Sequence, residues 1–233
     1  MEKKYDFTDE SIEIGGHVLH RICAMRDFTL NDGTEIKKGD LGGFIEKEDN
    51  LSHEWGCWVY ANACVFGDAR VYGNARVSEN TRVCGEARVF GNAWVCGNAW
   101  VCGEARVFGN AWVCGEARVY GNARVSGDAQ VCGDARVYGN AWVSGNACVY
   151  GKAYIRSDDD YCVIQGFGSE NRSTTFFNTS REDGKCDVSV KCGCFNGTLE
   201  EFESKVNETH GDSKYGREYL ALLQPMKIHF GIE

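Results

Sequence analysis

Nowhere among its 233 residues does the chain string together eighteen apolar residues, which excludes a transmembrane helix. Its first stretch, MEKKYDFTDESIEI, lacks the apolar centre of a signal peptide, so a cytoplasmic location is expected. Positive charge is also scarce, since 25 Lys and Arg against 34 Asp and Glu leave a formal net charge of −9. A general nucleic-acid binder needs a basic face to displace counterions, so neither nucleic acid nor membrane is an expected partner. Histidine is missing between Val59 and Tyr154; His17, His20, His53, His210 and His229 all lie in the flanks.

Cysteine, by contrast, is plentiful, with 13 in the chain. Those from Cys57 to Cys148 fall mostly at fixed positions that Ser, Tyr or Phe fill elsewhere. A residue that exchanges with Ser and Phe is filling a slot, and free Cys behaves as a small hydrophobe. They read as reduced thiols in a cytosolic protein, with no disulfide framework.

From Val59 to Ile155 an aliphatic residue recurs every six positions without interruption, in units of the form V-x-G-[NDE]-A-x. Four residues, A-x-V-x, alternate inward and outward as a short strand. The next two, Gly followed by Asn, Asp or Glu, make a corner, because Gly supplies backbone angles that other residues avoid. A short strand and a corner, repeated, wind as a solenoid. This unit resembles the hexapeptide repeat of left-handed parallel β-helices, with its aliphatic first position and small fifth position. The resemblance implies three hexapeptides per triangular coil, stacking of residues 18 apart, about five coils, and a left-handed winding.

Stacking at 18 sorts the variable letters onto three faces. One carries Arg70/Tyr72, Arg88/Phe90, Arg106/Phe108 and Arg124/Ser126, where guanidinium groups are expected to lie over rings. A second carries Arg76/Ser78, Trp94/Cys96, Trp112/Cys114 and Gln130/Cys132, and the third mixes Arg82/Cys84, Trp100/Cys102, Arg118/Tyr120 and Arg136/Tyr138. Trp94, Cys96, Trp112 and Cys114 form a contiguous apolar patch, the candidate interface of a homo-oligomer, dimer or trimer. Glu86, Glu104, Glu116, Asp68 and Asp134 each stand two positions before an arginine, which reads as charge balance for stacked guanidinium groups.

A solenoid exposes its core at both ends unless capped. Residues 1–50 read as an N-terminal β cap, with a hairpin about Gly15–Gly16 and a turn at Gly42–Gly43 leading into the first coil. The β-helix then spans 51–156, and SDDD (157–160) reads as a charged linker to a C-terminal α+β domain, 157–233. There, YCVIQGF, STTFFNT and CDVSVKCGCF read as strands. Thr198 with Glu201 and Gly211 bound a helix, and a second from Ser213 is ended or kinked by Pro225. The leading stretch KKGDLGGFIEKEDNLS and this tail resemble segments of uncharacterised hexapeptide-repeat proteins of bacteria and their phages. The resemblance implies the host cytoplasm as location.

Many hexapeptide proteins are acyltransferases with a histidine base near the coils, so that activity is the alternative reading. The histidine-free coils favour a non-catalytic accessory binding protein, with an oligomeric scaffold presenting the tail to a host protein or an anionic, nucleotide-like ligand. Ser169, Arg172, Ser173 and Thr174 place hydroxyls and a guanidinium in one turn, and with His210 they are the candidate ligand site. Cys192-Gly-Cys194, with Cys162, Cys186 and His210, is a weak metal pattern, because strand residues two apart share a side in any case. No metal or other cofactor is expected.

Overall fold

The computed structural model describes residues 3–180 and 186–232. Each repeat valine and its neighbouring alanine point inward and are fully buried, so a column of Val and Ala fills the solenoid. Two-residue strands from Trp58–Val59 to Tyr154–Ile155 align in three parallel ladders, one per face. The register is the expected one: Arg88 pairs with Arg106, Trp94 with Trp112, and Trp100 with Arg118. Backbone bonds join each coil to the next at the strand, as Arg88 N–H to Ala105 O at 2.9 Å, and at the corner, as Asn92 N–H to Gly109 O at 2.7 Å. Corner glycines stack on corner glycines: a Cβ at Gly97, whose φ is 77°, would sit 2.8 Å from the backbone N and O of Gly115.

The solenoid has about six turns rather than five. Leu41–Ile45 already forms a parallel strand, pairing Phe44 with Cys64 and Ile45 with Val65. That first coil takes 20 residues, as the Ile45–Val65 and Leu51–Val71 pairings show, so a search for a strict period of 18 passes over it.

Tyr5–Ile14 and His17–Ala24 form the expected hairpin about Gly15 and Gly16, both at positive φ. The second strand pairs antiparallel with Leu41–Ile45 and so carries one wall of the solenoid onward into the hairpin. Gly42 and Gly43 are not a turn, as the sequence suggested; they lie within this strand. A Cβ at Gly43 would stand 2.5 Å from Ala63 O, and one at Gly42 2.5 Å from Ile22 Cγ1. Here glycine marks close approach of neighbouring chain.

Both ends of the solenoid carry the same short plug. At one end a 3-10 turn, Glu48–Asn50, turns the Asn50 amide inward, where it is fully buried. Its Oδ1 accepts from Glu46 and Lys47 N–H, and its Nδ2 donates to Gly67 O at 3.0 Å and Ala69 O at 2.8 Å on the next coil. At the other end Asp158–Asp160 repeats the turn. There the Asp160 carboxylate accepts from Arg156 N–H at 2.7 Å, Ser157 N–H at 2.8 Å and Asn178 Nδ2 at 2.9 Å. Residues 157–160 are therefore a fitted joint rather than a linker.

Beyond this joint lies a four-stranded antiparallel sheet, Tyr161–Phe167, Arg172–Ser180, Cys186–Cys192 and Phe195–Thr198. Helices α1 (Leu199–His210), α2 (Lys214–Ala221) and α3 (Leu223–Phe230) follow. The sheet is two-sided: Phe177 joins the core of the solenoid, while Phe176 joins Phe202, Tyr219 and Met226 beneath the helices. Thr198 and Glu201 cap α1 reciprocally, and the break between α2 and α3 falls at Leu222, three residues before Pro225. Pro225 sits in the first turn of α3, where a missing N–H leaves no helical bond unmade. Among the described residues no helix is long and apolar enough to cross a membrane.

The plug at Asn50 supplies four hydrogen bonds from one buried amide. Asn50→Ala is expected to lower unfolding stability by about 2–4 kcal/mol in urea titration, because Gly67 O and Ala69 O lose their donor.

Candidate functional site

Three of the five tail residues singled out from the sequence converge on one cleft. Ser169, Arg172 and His210 line a cavity of about 310 Å³, together with Lys205. Its apolar wall comes from Phe195, Phe202 and Tyr219. Strand alternation takes Ser173 out of the cleft, and burial takes Thr174 out of it. Arg172 opens the strand Arg172–Ser180, so Ser173 turns to the opposite side, facing Cys148 and Lys191 at the solenoid end. Thr174 is buried behind the cleft, and its Oγ1 donates to Cys192 Sγ at 3.2 Å.

Arg172 and Lys205 stand at the rim of the cleft, where Glu170 also lines the cavity, and each cation has an acidic neighbour. Arg172 stands 3.8 Å from Glu170, and Lys205 pairs with Glu208 at 2.7 Å. Both pairs are solvent-exposed and so bind weakly. The Gly168 N–H, next to Ser169, donates to Glu218 Oε2 at 3.1 Å. The Tyr219 ring fills the space beside Gly168, where any Cβ would overlap it. Burial pushes the Tyr219 hydroxyl up to about 12, so it is a neutral hydroxyl facing Cys192 and the cleft. The Cys186 side chain lies outside the described set, and among the described residues no three His, Cys, Asp or Glu converge to hold a metal.

His53, the histidine nearest the coils, stacks on Tyr5 with ring centroids 4.2 Å apart, and its Nδ1 accepts from Lys4 N–H. Burial lowers its pKa, and its Nε2 is sealed from solvent without a partner. A cavity of about 510 Å³ lies beside it, lined by Arg70, Arg88, Tyr72 and Glu48. His53 itself lines this cavity, with its Nε2 turned away from solvent.

On the solenoid, Trp94 and Trp112 stack with centroids 5.5 Å apart and planes 11° from parallel, as the shared face requires. Cys96 and Cys114 occupy the same face. The structure also shows why Cys or Ser stands where it does. Each outward tryptophan of the coils leans down one level and donates its indole N–H to the residue 16 positions earlier. Trp94 donates to Ser78, Trp100 to Cys84, Trp112 to Cys96 and Trp142 to Ser126, at 2.7–3.3 Å. These slots are acceptors beneath an indole as well as fillers. The rule was readable in the sequence, in the spacing of 16 rather than 18.

Charge balance at these arginines does not take the form of close ion pairs. Among the described residues none within 4.0 Å joins Glu86 to Arg88, Glu104 to Arg106, Glu116 to Arg118, Asp68 to Arg70 or Asp134 to Arg136; Asp68 pairs with Lys47, and the Arg70 charge helps to hold its carboxyl below the usual carboxylate range. Corner side chains meet their counterparts on the neighbouring coil, as in the amide ladder Asn74–Asn92–Asn110–Asp128, with steps of 2.9–3.2 Å. Tyr72, Phe90 and Phe108 stack on one another at 4.8 and 5.0 Å. The guanidinium contacts run vertically to tryptophan, Arg76 under Trp94 at 4.9 Å and Arg124 under Trp142 at 5.7 Å.

These features define a β-solenoid repeat protein, capped by a β hairpin at one end and by a strand-and-helix region at the other. A family model described as the YdcK beta solenoid repeat matches residues 69–85, 117–133 and 129–145, each just short of one coil. No curated protein matches the chain.

Removing an acceptor tests the indole rule. Ser126→Ala is expected to cost about 0.5–1 kcal/mol and alter Trp142 fluorescence. Ser126→Cys should be near neutral in the same thermal melt, since Cys serves beneath Trp100 and Trp112.

Proposed function

We propose that the protein is a non-catalytic binding protein, in which a rigid solenoid carries the tail cleft as its ligand site. The observation that supports this is the convergence of Arg172, Lys205 and His210 over Phe195, Phe202 and Tyr219. Cations at the rim of an aromatic floor suit a small anion that also has a flat apolar part, such as a nucleotide. At about 310 Å³ the cavity is of the size that holds one small molecule. The accessory, phage-type setting is supported by the resemblance of the leading and tail segments, and self-association by the Trp94–Trp112 face.

Calorimetric titration with inorganic phosphate, AMP and ATP tests the cleft. The expected result is saturable nucleotide binding that Arg172→Ala weakens about tenfold or more. No heat with any of the three overturns the cleft assignment. Saturable binding of coenzyme A that survives Arg172→Ala would favour the acyltransferase reading. Native mass spectrometry of the same sample reports subunit number and any ligand carried through purification.

A further inference from the structure

Two stacks of cysteine run up the coils, with the same geometry and different surroundings. On one face Cys84 lies under Cys102, as the pairing of Val83 with Val101 requires. On another, Cys96, Cys114 and Cys132 lie in one column. The lowest thiol of each stack accepts an indole N–H, Cys84 from Trp100 at 3.3 Å and Cys96 from Trp112 at 3.2 Å. The neighbours differ. Cys84 has Arg82 on its own coil and Cys102 on the next, and it feels the charge of His17, which the Glu46 carboxylate holds at 2.8 Å. Cys96 has Glu79 and a second thiol nearby. A cavity of about 220 Å³, lined by Trp100, Arg118, Tyr120 and Arg136, opens beside Cys102.

We propose that Cys84 and Cys102 form a peroxide-responsive dithiol that closes to a disulfide between adjacent coils. A thiolate is the reactive form of cysteine, and cations with N–H donors stabilise it. Cys84 has both. The hydrogen bond from Cys102 and then the Trp100 indole bring its pKa down to about 6 against the opposing effect of burial, while Cys102 is driven up and keeps its proton. At Cys96 burial prevails over the indole and raises the pKa. The backbone permits the bridge, because stacked parallel strands hold Cα atoms about 4.8 Å apart, inside the roughly 4.4–6.8 Å of disulfides.

The reaction balances with hydrogen peroxide as oxidant. The Cys84 thiolate attacks one peroxide oxygen, the O–O bond breaks, and hydroxide leaves a sulfenic acid. The Cys102 thiol then attacks the Cys84 sulfur and water departs. Two thiols and one peroxide give one disulfide and two waters. The 220 Å³ opening admits a molecule as small as peroxide beside Cys102, the thiol that bonds to Cys84.

Treating the full chain with hydrogen peroxide, alkylating it and mapping tryptic peptides tests the proposal. Trypsin places Cys84 in Val83–Arg88 and Cys102 in Val89–Arg106, so the bridge appears as a linked pair about 2 Da lighter than the two reduced peptides together. Fragmentation assigns the partner as Cys102 or Cys96. Oxidation should be half-maximal near pH 6, and Trp100→Phe should move that midpoint upward by removing the donor that favours the thiolate. Cys102→Ser should halt the reaction at a sulfenic acid on Cys84, trapped by dimedone, and Cys84→Ser should abolish both products. Serine already occupies the equivalent slots beneath Trp94 and Trp142, so these variants keep the coil intact. At pH 6 the Cys84–Cys102 pair should oxidise about tenfold faster than Cys96–Cys114. Equal rates for the two stacks, or a Cys84 that stays reduced and alkylates half-maximally above pH 8, would overturn the assignment.

Discussion

Closing three strands and three corners within eighteen residues forces each side chain onto its counterpart one coil away. The backbone bonds that enforce this run at strands and corners alike, so a coil has no slack in which to shift register. Glycine at most corners follows, because a Cβ between stacked coils would crowd the next backbone, although Ala61 and Glu79 take the same positive φ at two corners. The valine and alanine columns follow too, since a triangular interior this narrow accepts one aliphatic and one small residue per side. Everything outward-facing is then a ladder by necessity, whether of rings, amides, guanidinium groups or thiols.

Ladders of like charge are the least comfortable product of this rule. Arg70, Arg88, Arg106 and Arg124 stand in one row with no carboxylate of their own coil within ion-pair distance. Arg70, Arg88 and Arg124 remain solvent-exposed and Arg106 half-buried, so water and salt screen repulsion at strand spacing. The amide ladders carry no such burden, as Asn can donate and accept at once and so pass a hydrogen bond from coil to coil.

The coils were legible because their period is short and repeats many times, so Val83, Val101 and Val119 announce one another. The first coil was not, because two additional residues after Leu51 break the count. At Gly42 and Gly43 glycine had two physical meanings, bend and close approach, and only packing against Ile22 and Ala63 decides between them. Ser157–Asp160 read as polar linker since acidic residues suit solvent; beside its local bonds to Arg156 and Ser157, Asp160 is held by Asn178, which no local pattern connects to it. In the tail, the sequence grouped Ser173 and Thr174 with Arg172; strand alternation turned Ser173 away, and burial behind the cleft withdrew Thr174. His210 reached Ser169 and Arg172 only through the docking of α1 on the sheet. The indole acceptors could have been found from sequence, though at a spacing set by a side chain leaning across the stack.

Phe176 and Phe177 are neighbours on one strand, yet each belongs to a different core. The partition between rod and tail is thus a single peptide unit thick. Strain or occupancy felt by the helices on one side reaches the last coil without crossing a hinge, and fraying of that coil would loosen the floor of the cleft. Sharing that strand couples the stability of the two halves, so that tightening either one steadies the other.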